Sequence, residues 1–364
     1  MDGGVPLPFA TVARTHRDDE FGEWSMHVRA VAITKPGNPD GMEVIDAPDP
    51  SPGPDEVVVA TEAIGVGGVD VVVRRGEIAT PPDGWIPGGE VVGRVVSIGT
   101  AVDPAWLGMR VWSYTGITAQ HPDAGALLPD GLSSIDGGGY AELALAPANE
   151  LTVVPDELSS VDAAALGSPL PVGHFALTHA RFGRGDSLLV RGAAGSIGIA
   201  TVELAARAGA SSIAVTTSSD GRGTRLRELG ATHVLDRAGR GDTSAPESYD
   251  VIVDIAGGSA VPAFVDRLAP NGRYVVTGIV AGMPPLDFGR SLITAFQQSR
   301  SVATFSLDTV PVEDRGRVRA ELFDAAARDE LHAVVHDVIG LDRAAEAHRR
   351  METGEVFGRI VLTP

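Results

Sequence analysis

Three glycines carry the clearest capacity for chemistry. In SLLVRGAAGSIGIATVELAARAGA, residues 187–210, an apolar run leads into Gly192, Gly195 and Gly198 and then into a helical pattern. A strand turning on small residues into a helix brings its backbone against a pyrophosphate. Free amides near Ser196 and Ile197, together with the helix dipole, offset the negative charge. A tight strand-to-helix turn without a ligand would use the same glycines. The strands and helices that alternate on either side favour a dinucleotide.

The second half of such a site selects the cofactor. An acidic residue that bonds the 2′-hydroxyl of NAD is expected about 20 residues past the glycines. Counting reaches Ser218, within AVTTSSDGR, where no carboxylate stands, although Asp220 is close. Arg222 opens the next helix and Arg237 follows the next strand. Guanidinium forks match phosphate oxygens and keep their charge, so Ser218, Arg222 and Arg237 suit the 2′-phosphate of NADPH. The alternative for both arginines is a solvated surface charge.

Other constellations offer less. His332 and His336 are four apart, and on a strand they would stand about 13 Å from each other, too far for one ion. His174 and His179 flank FALT in a helical stretch, with one ring expected near a cleft and one at the surface. No Ser/His/Asp set carries a nucleophile-elbow pattern. The chain has no cysteine, which excludes disulfides, thiolate nucleophiles, iron–sulfur clusters and cysteine-ligated zinc. No metal is expected.

These residues must be positioned by two kinds of structure. From Met26 the texture is short β-branched runs, HVRAVAI, EVVVATEAIGV, EVVGRVVSIG and AELALA, separated by Pro and Gly clusters. Around Val153 helical segments begin to alternate with strands, the pattern of a parallel sheet covered on both faces. The ending, LHAVVHDVIGLDRAAEAHRRMETGEVFGRIVLTP, reads strand, helix, strand and returns to the first unit. The expected organisation is a mobile N-terminal extension over 1–25, a β-rich domain over 26–153, a dinucleotide-binding domain over 154–305, and a return to the β-rich domain over 306–364.

Composition bounds the partners. The 364 residues are 43% hydrophobic, enough for two packed domains. A formal net charge of -19 disfavours nucleic acid, whose binding rests on cationic side chains. No apolar run approaches the roughly 18 residues of a membrane helix, and the first residues lack a signal-peptide core. A cytoplasmic protein acting on a small molecule is expected.

Taken together, PGPDEVVVATEAIGV, DVVVRRG, IPGGEVVGRVVSIG, GGGYAELALAPANELTVVP, LLVRGAAGSIG, RELGATHVLD, YDVIVDIAGG and AAEAHRRMETGEVFGRIVL resemble the medium-chain dehydrogenase/reductase superfamily. The resemblance spans Met26 to Pro364 and is to the zinc-independent quinone oxidoreductase and enoyl reductase branch. It implies an α/β fold: a Rossmann doubly wound parallel sheet plus a GroES-like β-rich catalytic domain, with a cleft between them. It also implies a homodimer whose Rossmann sheets pair edge to edge.

Zinc-dependent members place a Cys ligand where this chain has Gly67 and a His ligand where it has Gly89, so the resemblance implies hydride transfer without a metal. Many members of the zinc-independent branch carry Asn at the place of Gly67, Tyr at Val72 and a nicotinamide-facing Thr at Val172. Here all three polar groups are missing, while Asp70 is kept. Tyr114 and Tyr140, at positions that line or adjoin the substrate pocket in the superfamily, are the candidate replacement donors, each with a packed aromatic as its alternative. Backbone at Gly278, Ile279, Phe305 and Ser306 should meet the nicotinamide half, and Ala256 and Gly257 should close the adenosine side. The activity implied is NADPH-dependent reduction of a conjugated carbonyl or quinone. The alternative is an NADPH-binding chain with a lost or altered redox role, such as a non-redox biosynthetic enzyme, a sensor or a scaffold.

Overall fold

The computed structural model describes residues 15–17, 24–77, 81, 83–115 and 138–364. Most of the N-terminal stretch, 1–14 and 18–23, lies outside them. Within that stretch β1 (Thr15–Arg17) pairs antiparallel with the start of β2 (Trp24–Ile33), which continues against β3 (Met42–Pro48).

The β-rich lobe is built on β4 (Glu56–Gly65), whose run EVVVATEAIG is buried along much of its length. Helix α1 (Gly68–Arg74) follows, then β5 (Glu90–Ile98), β6 (Arg110–Tyr114), β7 (Leu143–Pro147) and β8 (Thr152–Val153). All pairings here are antiparallel: β4 with β5 and with β7, β5 with β6, and β6 with β8.

Two helices, α2 (Ser160–Leu166) and α3 (Pro169–His179), lead into the second lobe. There β9 (Ser187–Arg191), α4 (Ser196–Ala208), β10 (Ser212–Thr216), α5 (Asp220–Glu228), β11 (His233–Leu235), β12 (Tyr249–Asp254), α6 (Val261–Val265), β13 (Leu268–Val276), α7 (Arg290–Thr294) and β14 (Ser301–Thr304) follow in sequence. All six strands are parallel, in the order β11-β10-β9-β12-β13-β14. Leu188, Leu189 and Val190 are buried, as are Val251, Ile252 and Val253, because helices cover both faces of such a sheet. Between β9 and β12 the winding reverses, and the crevice outside the strands' carboxyl ends there is where ligands enter this class of sheet.

The chain then forms α8 (Val312–Ala327), β15 (Val335–Gly340), α9 (Ala344–Glu352) and β16 (Arg359–Thr363). Strand β16 pairs with β4, Val361 opposite Gly65 and Leu362 opposite Ile64, so the last strands complete the sheet begun by residue 56. The fold is the expected one: a doubly wound parallel sheet beside a β-rich lobe assembled from both ends of the chain. Among the described residues no helix is long and apolar enough to cross a membrane.

Candidate functional site

The glycine loop sits at the carboxyl end of β9. Gly192 has φ +78°, a backbone state open to glycine at little cost. Gly198 has no room for more, since a Cβ there would stand 2.5 Å from Cα of Ala193. The N-cap of α4 is Gly195, exposed, and no side chain caps the helix. Helix α4 therefore presents its first amides, with half-buried Ser196 and Ile197 at the first two positions, to an anion.

A buried charge cluster ties this loop to its neighbours. Arg191, the residue before Gly192, donates from Nη1 to Oδ2 of Asp254 at 2.5 Å and from Nη2 to the carbonyl of Gly257 at 3.1 Å. Tyr274 donates to the same Asp254 oxygen at 2.5 Å. The second oxygen of Asp254 accepts the amides of Ala256 at 2.8 Å and Gly257 at 3.0 Å. Three strand ends, β9, β12 and β13, are thereby locked at the crevice. Burial and the adjacent Asp254 carboxylate hold the Tyr274 phenol well above its ordinary range.

The remaining expected cofactor positions mostly follow the carboxyl ends of the parallel strands. Ile279 is about half exposed, and a Cβ on Gly278 would stand 2.8 Å from the carbonyl of Ile255. The amide of Phe305 bonds the carbonyl of Val276 at 2.9 Å, and exposed Ser306 caps a short turn through the amide of Asp308 at 3.3 Å. Val172 is half-buried on α3, which packs against α4. Ser218 and Arg222 are brought together, Arg222 Nη1 to Ser218 Oγ at 3.2 Å. Arg237 is exposed in the turn after β11.

Across the crevice the β-rich lobe places Asp70 between the two glycines. Its Oδ2 accepts the amide of Gly67 at 2.7 Å and its Oδ1 that of Gly89 at 3.1 Å. Asp70 is 6% exposed, and burial pushes its carboxyl up to about 6, with the neighbouring Arg359 opposing the rise. Tyr114 lies alongside: a Cβ on Gly89 would stand 3.4 Å from its Cε2. Burial raises its phenol above the ordinary range, and so do the carboxylates of Asp308, Asp70 and Glu90.

Tyr140 has a different setting. It is completely buried, with its hydroxyl 3.0 Å from Nε2 of His348. Arg74 donates from Nε to Nδ1 of that ring at 3.2 Å. Burial and the Arg74 charge push His348 down to about 3, so the ring is neutral and its one proton is on Nε2, donated to Tyr140. Burial, with the nearby Asp70 carboxylate adding to it, holds the Tyr140 phenol well above its ordinary range. Tyr140 thus stands behind Asp70, inside the lobe.

Arg359 and Glu90 were missed by motif reading, although a lone arginine inside the apolar run FGRIVL was a signal. Arg359 is 4% exposed and pairs through Nη2 with Glu90, whose other oxygen accepts the indole N–H of Trp112 at 3.0 Å. Its Nε and Nη1 are buried without a hydrogen-bond partner among the described residues. The preceding residue, Gly358, donates to the carbonyl of Ala194 at 2.9 Å and bridges Gly195. The Arg359 guanidinium itself lies against Gly65 and Gly67 of the β-rich lobe, where a Cβ on Gly65 would stand 2.7 Å from its Cζ, and two buried unpaired donors there are costly unless a partner reaches them.

The histidines separate. His332 bonds Glu203 at 2.7 Å, while His336 accepts from Arg350 at 2.9 Å. His174 is half-buried and His179 exposed on α3. Among the described residues no group of three His, Asp or Glu side chains is placed to hold a metal ion.

A glycine-loop crevice at the switch point of a parallel sheet, facing a β-rich lobe with buried acid and phenol groups, defines a nicotinamide-dependent oxidoreductase. Comparison with known proteins narrows the class. Residues 53–156 match the family model described as alcohol dehydrogenase GroES-like domain, and residues 229–362 that of zinc-binding dehydrogenase. The quinone oxidoreductase of Mus musculus is 26% identical over 347 residues, covering 92% of this chain and 97% of the relative. A mycobacterial structure complexed with NADPH superposes with a TM-score of 0.80 at 28% identity, over 93% of this chain and 100% of that one. A phenolphthiocerol/phthiocerol polyketide synthase of Mycobacterium tuberculosis is 28% identical over 346 residues, 91% of this chain but 14% of that protein. The chain belongs to the medium-chain dehydrogenase/reductase superfamily, on its quinone oxidoreductase branch.

Proposed function

We propose that this chain is an NADPH-dependent, zinc-independent reductase of a conjugated carbonyl or a quinone. The observation that carries the reading is the pairing of an uncapped α4 N-terminus at Gly195 with a guanidinium, Arg222, at Ser218, where an NAD-selective chain would place a carboxylate. Gly195, Ser196 and Ile197 would hold the pyrophosphate. Ser218 and Arg222 would take the 2′-phosphate, and Arg237 at its exposed turn is the more distant candidate. Ala256, Gly278, Ile279, Phe305, Ser306 and Val172 would wall the rest. The relative complexed with NADPH supports this choice of cofactor.

Bound, the reduced nicotinamide supplies a hydride. Gly67 and Gly89 contribute no side-chain ligand, so the acceptor must already be polarised by conjugation, and its developing oxyanion is stabilised by hydrogen bonds or solvent. Reduction consumes one hydride and one proton. Tyr114, beside Gly89 and Asp70, is the candidate donor of that proton, while the Tyr140 hydroxyl is engaged with His348. The relatives named quinone oxidoreductase and polyketide synthase support the two acceptor classes.

The exposed side chains of Val280, Met283, Leu286, Ile293 and Phe296 lie in the chain between β13 and the edge strand β14. An apolar surface beside an open sheet edge supports a homodimer that pairs β14 with its copy. Cytoplasmic location accords with this chemistry.

Stopped-flow loss of NADPH absorbance with a panel of enones and quinones tests the reading. A flat trace across the panel with saturable NADPH binding would overturn it. One observation favours the second reading, a chain with altered redox role: the buried Tyr140 hydroxyl is engaged with His348, leaving fewer donors for substrate. Transfer of deuteride from labelled NADPH into product separates the two.

A further inference from the structure

Arg222 belongs to the nucleotide lobe, yet most of its hydrogen bonds reach the other one. Its Nη2 donates to the carbonyls of Gly354 at 2.6 Å, Glu355 at 2.7 Å and Val356 at 3.3 Å. One helical turn on, the Arg225 guanidinium lies 4.0 Å from the ring centroid of Phe357. Gly354 has φ +69°, which turns the chain so that three successive carbonyls converge on one nitrogen. The buried Phe357 ring and the Gly358 bridge to Gly195 hold the far side of that turn.

A free arginine side chain has many rotamers, and fixing it on an anion costs entropy. Here Nη2 is already spent on carbonyls and Nη1 points to Ser218 at 3.2 Å. The planar fork is therefore oriented before any ligand arrives, with the remaining Nη1 hydrogen left for an anion beside Ser218. Carbonyl dipoles on one edge also stabilise the charge without neutralising it, as a carboxylate partner would.

We propose that the turn at 354–357 is a specificity element for the 2′-phosphorylated cofactor, acting by holding Arg222 in its phosphate-binding position. This rests on the NADPH reading and adds to it a determinant from the opposite lobe. Arg222 is then the binding residue and the turn a positioning element.

The test uses 2′,5′-ADP and ADP as probes of the full-length protein, with calorimetric affinities and amide hydrogen exchange over 353–358. The wild type should bind 2′,5′-ADP at least about tenfold more tightly than ADP, one charge-assisted contact being worth about that much. Arg222→Ala should abolish the difference and speed exchange over 353–358 even without ligand. Gly354→Val removes no partner side chain but resists the positive φ, and it should lose most of the 2′,5′-ADP preference while keeping ADP affinity. If that variant fails to fold, Phe357→Leu, which weakens the Arg225 stack, takes its place. Equal binding of the two nucleotides by the wild type would overturn the cofactor reading itself. A wild-type preference that survives in Gly354→Val or Phe357→Leu, or faster exchange over 353–358 when 2′,5′-ADP binds, would overturn this proposal alone.

Discussion

Oδ1 of Asp70 accepts the backbone amide of Gly89 at 3.1 Å across the first turn of α1 and the start of β5. With the Gly67 amide on its other oxygen, this carboxyl joins the two positions that the family resemblance equates with zinc-ligand positions. It occupies the floor of the candidate active site and is its most perturbed acid.

Burial pushes Asp70 up to about 6 from an ordinary 3.8, so the folded protein holds a proton that the unfolded chain has released. Stability from this group is present at low pH and is lost as pH rises from about 4 through about 6. Two pKa units at roughly 1.4 kcal/mol each bound the effect at about 3 kcal/mol. Thermal unfolding of wild type against Asp70→Asn should show the wild type's relative stability falling across that window. A difference that stays flat from pH 4 to 7 would mean that Asp70 is ionised throughout.

Tyr140 and Tyr114 should separate on substitution. Tyr140→Phe leaves the Nε2 hydrogen of His348 buried without an acceptor, at a cost of about 1–3 kcal/mol of stability, with little change in the turnover of folded enzyme. Tyr114→Phe should lower kcat, by up to about a hundredfold if its proton transfer is limiting. Denaturant melts and steady-state rates on both variants check this. A stable Tyr140→Phe protein with a collapsed kcat would return Tyr140 to the chemistry.

Arg191→Met removes the cation from a buried carboxylate. Asp254 would keep its two amides and Tyr274 but lose its charge partner, a change that costs about 3–5 kcal/mol when the remaining ion is buried. NADPH affinity should weaken with it, because that guanidinium holds the Gly257 carbonyl and the Asp254 carboxylate that accepts the amides of Ala256 and Gly257. Unchanged NADPH affinity in the folded variant would confine Arg191 to a purely structural role.

The exposed apolar side chains after β13 offer a surface test. Phe296→Asp and Met283→Asp alter residues that are 79% and 72% exposed, so the fold should be little affected. If this face joins two copies, either change shifts sedimentation from dimer to monomer. A wild-type chain that sediments as a monomer would remove the homodimer.

How much of this was legible in the residues varies with the kind of contact. The parallel sheet and the glycine loop were legible because their signals are local: an apolar run, three small residues and a helical period fit within 24 residues of sequence. The glycines at 67 and 89 could be set against zinc-ligand positions only through the family resemblance. Arg222 was legible as a cation in the right place, but its partners were not, since Gly354, Glu355 and Val356 lie more than 130 residues away.

The sequence by itself determined the architecture and the class of cofactor, which follow from periodicity and residue type, while glycine at 67 and 89 gains its meaning only through the family resemblance. Only the tertiary structure decided which polar groups are satisfied and by what. Tyr114 and Tyr140 are equivalent as residue types, yet one lies against Gly89 and the other is enclosed with His348, 208 residues distant. Arg359 reads as one more basic residue until folding buries it beside Glu90 and leaves two donors unpaired. The physical reason is that burial, and with it the protonation and reach of each group, is set by segments that meet only when β16 returns to β4.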